Sequence, residues 1–205
     1  MSNFLTDLVK AEPHSLKNIM DSLEVSLANR IELIPLLKEH HNYLKESISV
    51  LTDKKTAAGD KQIHLIRFFR LFEMHGKAEQ ETLYEQLKSN REIEARLEGY
   101  GGQDEHDMAF QLEDELLQMG YLINWNEKIS AKANVVASLI RNHIREEENI
   151  MFPIAEKFLS PADLDYLRPT YIEKCKESLK NSAGLPENRW DRILSNDSST
   201  LGKEF

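Results

Sequence analysis

Cysteine occurs once in the 205 residues, at Cys175, while glycine occurs eight times and proline six. A single thiol excludes an internal disulfide and a cysteine-built zinc site, and it suits a reducing compartment. With so few glycines and prolines, long stretches carry no breaker, and within them apolar residues recur at helical rather than alternating spacing. The expected fold is therefore all-α. Also lacking is any apolar run of the roughly 18 residues that a membrane span needs. The opening MSNFLTDLVKAEPHSLK has no basic leader ahead of a long apolar stretch. Neither a membrane span nor a secretory signal is expected, and the expected location is cytoplasmic. Positive charge is in deficit: 26 Lys and Arg against 35 Asp and Glu leave a net charge of −9, with no basic cluster. Nucleic acid and anionic membrane surfaces are poor partners for such a chain, whereas metal cations are not disfavoured.

What is present fits an ordinary globular protein, with 40% apolar and 30% charged residues. Four consecutive helices with short connections are expected over Pro35–Leu51, Lys61–Leu87, Gln103–Asn124 and Ala131–Phe158, with SNREIEARLEGYGG as the connection before the third. This pattern favours an up-down-up-down four-helix bundle over residues 30–160. Residues 1–29 read as an N-terminal helical extension, with Leu16, Ile19, Met20 and Leu23 on one stripe. Residues 161–205 read as a C-terminal helix, with Ser160 as its N-cap, followed by a partly disordered tail. These terminal helices are candidates for packing on the bundle or for docking a protein partner.

The histidines can then be placed on helix faces. In the first helix Ile34, Leu37, His41, Leu44, Ile48 and Leu51 repeat at alternating spacings of three and four, the buried seam of a bundle helix. The second seam reads Leu65, Phe68, Phe72, His75, Glu79, and the fourth reads Val136, Ile140, His143, Glu147, Ile150, Ile154. In the third, His106 aligns with Phe110, Glu113 and Leu117. Every helix of the bundle thus sends one histidine inward, and two of them add a glutamate one turn later. A buried polar group without a partner costs roughly 1–3 kcal/mol, and an unpaired carboxylate several more, against a total stability of about 5–15 kcal/mol. Four histidines and two glutamates in one core must therefore be hydrogen-bonded together or bound to metal. Residues four apart on a helix share a face about 6 Å apart along the axis, so each His–Glu pair can reach adjacent ions. Carboxylates can bridge two ions while neutral imidazoles cap the outer positions. The ferritin pattern, with Glu three residues before His, is absent, and so is the zinc-protease pattern of two His around a Glu.

LLKEHHNYL, HGKAEQETLY, QDEHDMAF and HIREEENIMFP together resemble the four helix motifs of the hemerythrin-like, or HHE cation-binding, family, in order and spacing over about residues 30 to 160. The resemblance implies a bundle holding two non-haem iron ions, oxo- or hydroxo-bridged. It places His41, His75, Glu79, His106, His143 and Glu147 in ligand positions, with both glutamates bridging. It also implies dioxygen or nitric oxide as the small ligand, bound in sensing or storage. Two alternatives stand beside this. One is a di-iron enzyme that turns over nitric oxide, peroxide or dioxygen, or repairs iron centres. The other is a structural or interaction bundle that carries zinc or no metal.

The sequence departs from oxygen-carrying hemerythrins at Phe110, where those proteins have a second histidine one turn after the first. Removing one imidazole leaves a labile coordination position. Glu113, two turns after His106, is a candidate to supply an oxygen or to hydrogen-bond a ligand histidine, against a reading in which its charge reaches the bundle edge. His40 lies about 100° round the helix from His41, and a flank or solvent position is expected for it. His64 and His14 have no role in this reading.

Overall fold

The computed structural model describes residues 23–25, 29 and 31–182. Among these no strand occurs. Helix α1 is Leu33–Thr52. Helix α2, Ala58–Glu79, runs through a π-helical turn, Gln80–Tyr84, into the short α3, Glu85–Lys88. Helix α4 is Ile93–Gln118. Helix α5, Glu127–Glu146, runs through a second π-helical turn, Glu147–Met151, into α6, Phe152–Phe158, and α7 is Pro161–Ser182. The fold is all-helical, as the breaker-poor sequence implies.

Local chemistry sets the helix ends. Asn126 caps α5, its side chain accepting from the backbone N–H groups of Lys128 and Ile129. After α4, Gly120 takes φ 73°. There its N–H donates to the Leu117 carbonyl (2.9 Å) and the Tyr121 N–H donates to that of Leu116 (3.3 Å), the reverse-turn cap that glycine favours. Ser160 caps α7 as expected: its hydroxyl accepts from the Asp163 N–H at 3.2 Å, and the Asp163 carboxylate accepts in return from the Ser160 N–H at 2.8 Å.

Two expectations are corrected. The stretch read as a connection, SNREIEARLEGYGG, is mostly helix, because α4 begins at Ile93 and not at Gln103. Its glycines mark close helix contact. A Cβ on Gly99 would sit 2.9 Å from Lys88 Cγ and 3.0 Å from the Tyr84 carbonyl, and one on Gly102 would sit 2.8 Å from Tyr84 Cζ. The second correction is Ile150, assigned to the buried seam but 43% exposed. The π-helical turn adds a residue after Glu147 and moves the seam on, so that Met151 and Phe152 face the core in its place.

Phe68, Phe69, Phe72, Leu37, Leu44, Val136 and Ile140 fill the core between the long helices. Helix α7 lies along α2, burying Leu167, Tyr171, Ile172, Cys175 and Leu179. Lys174 ties it to Glu81 on the first π-helical turn at 2.6 Å, and Lys176 pairs with Glu24. Of the N-terminal stripe, Leu23 is fully buried; Leu16, Ile19 and Met20 lie outside the described residues, as do His14 and the C-terminal tail.

Candidate metal centre

All six candidate ligands point into the bundle and all are buried, none more than 1% exposed. They form two groups that share both glutamates: His41, His75, Glu79 and Glu147 in one, and Glu79, His106, His143 and Glu147 in the other. Within each group the donor atoms lie within 4.8 Å of one another. Helices α1, α2, α4 and α5 each supply one imidazole, and the glutamates come from α2 and from the turn that follows α5.

The spacings test the fit to a cation. Adjacent ligands about 2.1 Å from one ion stand roughly 3 Å apart when they subtend a right angle. Here His41 Nε2 lies 3.0 Å and His143 Nε2 3.2 Å from the same oxygen, Glu147 Oε2. His75 Nε2 lies 3.0 Å from Glu79 Oε2, and His106 Nε2 lies 2.8 Å from His143 Nε2. The His106–His143 contact has hydrogen-bond geometry; the others do not. His41 Nε2, His75 Nε2, both oxygens of Glu79 and Glu147 Oε2 are buried without a hydrogen-bond partner of acceptable geometry. Such a cluster of orphaned donors, converging from three helical segments, is what a cation would satisfy.

Three of the four rings have a partner at Nδ1, on the side away from the cluster. His143 Nδ1 meets Glu105 Oε2 at 2.7 Å, His41 Nδ1 meets Glu148 Oε1 at 3.0 Å, and His75 Nδ1 meets the Tyr171 hydroxyl at 2.8 Å. An Nδ1–H donated outward leaves Nε2 with a lone pair facing inward. Lys45, 2.7 Å from Glu148, anchors that carboxylate in turn. His106 is placed by the absence of a side chain: a Cβ on Gly76 would come within 3.1 Å of its Nδ1.

Electrostatics describes how the cluster balances its charge with protons. Burial works against ionisation of Glu147, but the imidazoles of His143 and His41 overcome it and hold the carboxyl well below its usual range. Burial likewise opposes protonation of His41 and His143. The carboxylates of Glu147 and Glu148 nonetheless raise His41 to about 9, and those of Glu147 and Glu105 raise His143 to about 10. Burial, with the charge of Glu147 beside it, pushes Glu79 well above the carboxylate range, and burial pushes His75 and His106 well below theirs. Two imidazolium protons therefore stand around one carboxylate, in the place positive ions would take.

The family model for the hemerythrin HHE cation-binding domain matches residues 32–155. The chain belongs to the hemerythrin HHE cation-binding family. No curated protein and no solved structure matches it significantly. In this hemerythrin-like chain the clusters described above are groups that could hold metal.

Several neighbours of the centre differ from the sequence reading or escaped it. His40, expected on a flank, is fully buried, and its Nδ1 lies 2.7 Å from the Tyr171 hydroxyl. The angular argument placed it correctly off the bundle seam, but α7 covers that flank. Glu113 is 1% exposed and so does not reach the bundle edge, yet it belongs to neither donor group. Phe110 packs on Phe72 at 5.1 Å between ring centres and on His106 at 6.4 Å. Tyr84 was missed. Its hydroxyl donates to Glu147 Oε1 at 2.5 Å and stands 3.3 Å from His106 Nε2. A signal for it existed, since Tyr84 follows Glu79 by the same five residues by which Phe152 follows Glu147. Each of these aromatics ends or follows a π-helical turn, and Phe152 stacks on His41 at 5.6 Å.

Proposed function

We propose that the two groups hold a pair of non-haem iron ions and that the chain binds dioxygen or nitric oxide in sensing or storage. His41 and His75 serve one ion, His106 and His143 the other, and Glu79 and Glu147 bridge them. The observation that carries this reading is the set of orphaned donors: mixed imidazole and carboxylate, buried, with both carboxylates common to both groups. Bound there, the ions would supply exchangeable coordination positions for a small diatomic ligand. The chain's own residues do the rest. Glu105, Glu148 and Tyr171 orient the imidazoles, Tyr84 holds Glu147 by hydrogen bond, and Phe72, Phe110 and Phe152 keep the surroundings apolar.

Elemental analysis and visible absorption of protein expressed anaerobically with iron supplied test the proposal, with about two iron atoms per chain expected for a dinuclear site. Zero or one tightly held metal per chain would overturn it. Zinc recovered from aerobic preparations decides little, because zinc binds such N/O donor sets more tightly than ferrous iron does.

One observation favours turnover as a second reading. The Tyr84 hydroxyl is a buried proton carrier beside a bridging carboxylate, and burial together with Glu147 holds its pKa well above the usual phenol value. Consumption of nitric oxide or peroxide with an electron donor, lost in Tyr84→Phe, would establish that reading in place of simple binding.

A further inference from the structure

Helix α7 begins at Pro161, beyond the region that matches the family model, yet it reaches the centre. The Tyr171 hydroxyl, fully buried, touches two imidazoles from different helices: His75 Nδ1 on α2 at 2.8 Å and His40 Nδ1 on α1 at 2.7 Å. The buried thiol of Cys175 lies one turn further along α7.

We infer that Tyr171 is a positioning residue of the metal centre, supplied by a helix outside the family domain, which fixes the tautomer and ring orientation of His75. The inference rests on the metal-centre reading above.

The hydrogen-bond bookkeeping supports it. For His75 Nε2 to face a cation with its lone pair, a neutral ring must carry its proton on Nδ1, and the atom in reach there is the Tyr171 oxygen. Tyr171 must therefore accept from His75 and send its own proton elsewhere. His40 Nδ1 is in place to take it. This gives the fully buried His40, off the bundle seam, a physical reason to be where it is: it satisfies the hydroxyl that orients the ligand. His143 and His41 obtain the same service from carboxylates, Glu105 and Glu148. A neutral phenol accepting from His75 raises imidazole basicity less than a carboxylate does, so His75 is a weaker donor than His41 or His143.

The test is cobalt(II) binding to the full chain, measured by competition with a chromophoric chelator and by the visible d–d bands, for the unmodified protein, Tyr171→Phe and Leu167→Ala. Leu167 is buried on the same helix and has no group that can hydrogen-bond, so it reports on loss of packing alone. Tyr171→Phe is expected to weaken binding about 10- to 100-fold, the range for lost outer hydrogen bonds to a metal ligand, and to shift the d–d bands. Leu167→Ala is expected to lower the melting temperature with affinity and bands unchanged. Tight binding to Tyr171→Phe with an unaltered spectrum overturns this inference alone, and so does an equal loss in both variants. Absence of cobalt binding by the unmodified protein overturns the metal-centre reading and this inference with it.

Discussion

Loading the centre with divalent cations should expel protons, and the structure says how many. At pH 7 the metal-free cluster holds one on His41, whose pKa is about 9, and one on His143, at about 10. Glu147 is held well below the carboxylate range, and burial with the charge of Glu147 pushes Glu79 well above it. An imidazole Nε2 cannot donate to a cation while it carries a proton, so about two protons should leave the histidines per chain when both positions fill. The apparent affinity for the pair of ions should then rise by about two powers of ten per pH unit below pH 9. Calorimetric titration with zinc or cobalt(II), in buffers of equal pH but different ionisation heats, counts the protons directly. The Glu147→Gln variant removes the charge that acts on both imidazoliums, and its count should fall. Release of fewer than about one proton per chain with two ions bound would show that the donors are already bare, and the picture of protons standing in for cations would be wrong.

The same shifts fix how stability depends on pH. A folded pKa raised above the unfolded value contributes stability that is complete below about 6.5 and is lost as pH rises through the folded values of about 9 and 10 for His41 and His143. Metal-free protein should therefore melt progressively lower from pH 7 to pH 10, while loaded protein, with these protons gone, should not; parallel curves in differential scanning calorimetry would contradict this. His143→Ala should remove most of the gain in melting temperature that metal gives, because it takes one of two imidazoles from one ion position; the reasoning fails if unmodified protein melts identically with and without metal. Gly102→Ala should destabilise by up to about 2 kcal/mol in urea unfolding, since steric overlap of about 1–3 kcal/mol outweighs the helix-propensity gain of about 1 kcal/mol. The new Cβ would lie 2.8 Å from the ring of Tyr84, which Glu147 holds in place. Gly101→Ala, with nothing within 4 Å, should stabilise instead, and the same sign for both variants would refute the packing argument.

The inner shell was legible because it obeys one periodicity. His75 with Glu79 and His143 with Glu147 sit four apart on seams that are apolar ahead of them, and a bundle core admits such residues only when they are hydrogen-bonded together or bound to metal. The outer shell obeys no such rule. Glu105 is 38 residues from His143 in sequence, Glu148 is 107 from His41, and Tyr171 is 96 from His75. Glu105 and Glu148 are also indistinguishable in composition from the solvated glutamates around them. The burial of His40 could not be read because it depends on which flank of the bundle α7 covers. Helix α4 was truncated for a different reason: the three glycines of GYGG look like a breaker, although Gly99 and Gly102 are there to let neighbouring residues approach.

The π-helical turns connect these successes and failures. Each begins at or one residue after a glutamate of the two clusters, and each adds a residue that carries the fifth position after that glutamate into the core. Strict 3.6-residue counting therefore holds up to Glu79 and Glu147 and fails just beyond them, which is why it places the candidate residues in the core and misses the aromatics beside them. The two fifth positions differ, tyrosine at 84 and phenylalanine at 152. That difference falls on the side already made unequal by Phe110. The His106–His143 group lacks the second imidazole of its helix, and it is this group that has the Tyr84 hydroxyl 3.3 Å from His106 Nε2. The His41–His75 group instead has the hydrocarbon face of Phe152 stacked on His41. The two halves thus differ in the aromatic beside them, a phenol at one and a phenyl ring at the other. The single hydrogen of the Tyr84 hydroxyl is given to Glu147 Oε1, so the hydroxyl holds the shared carboxylate in place and can only accept from any further group.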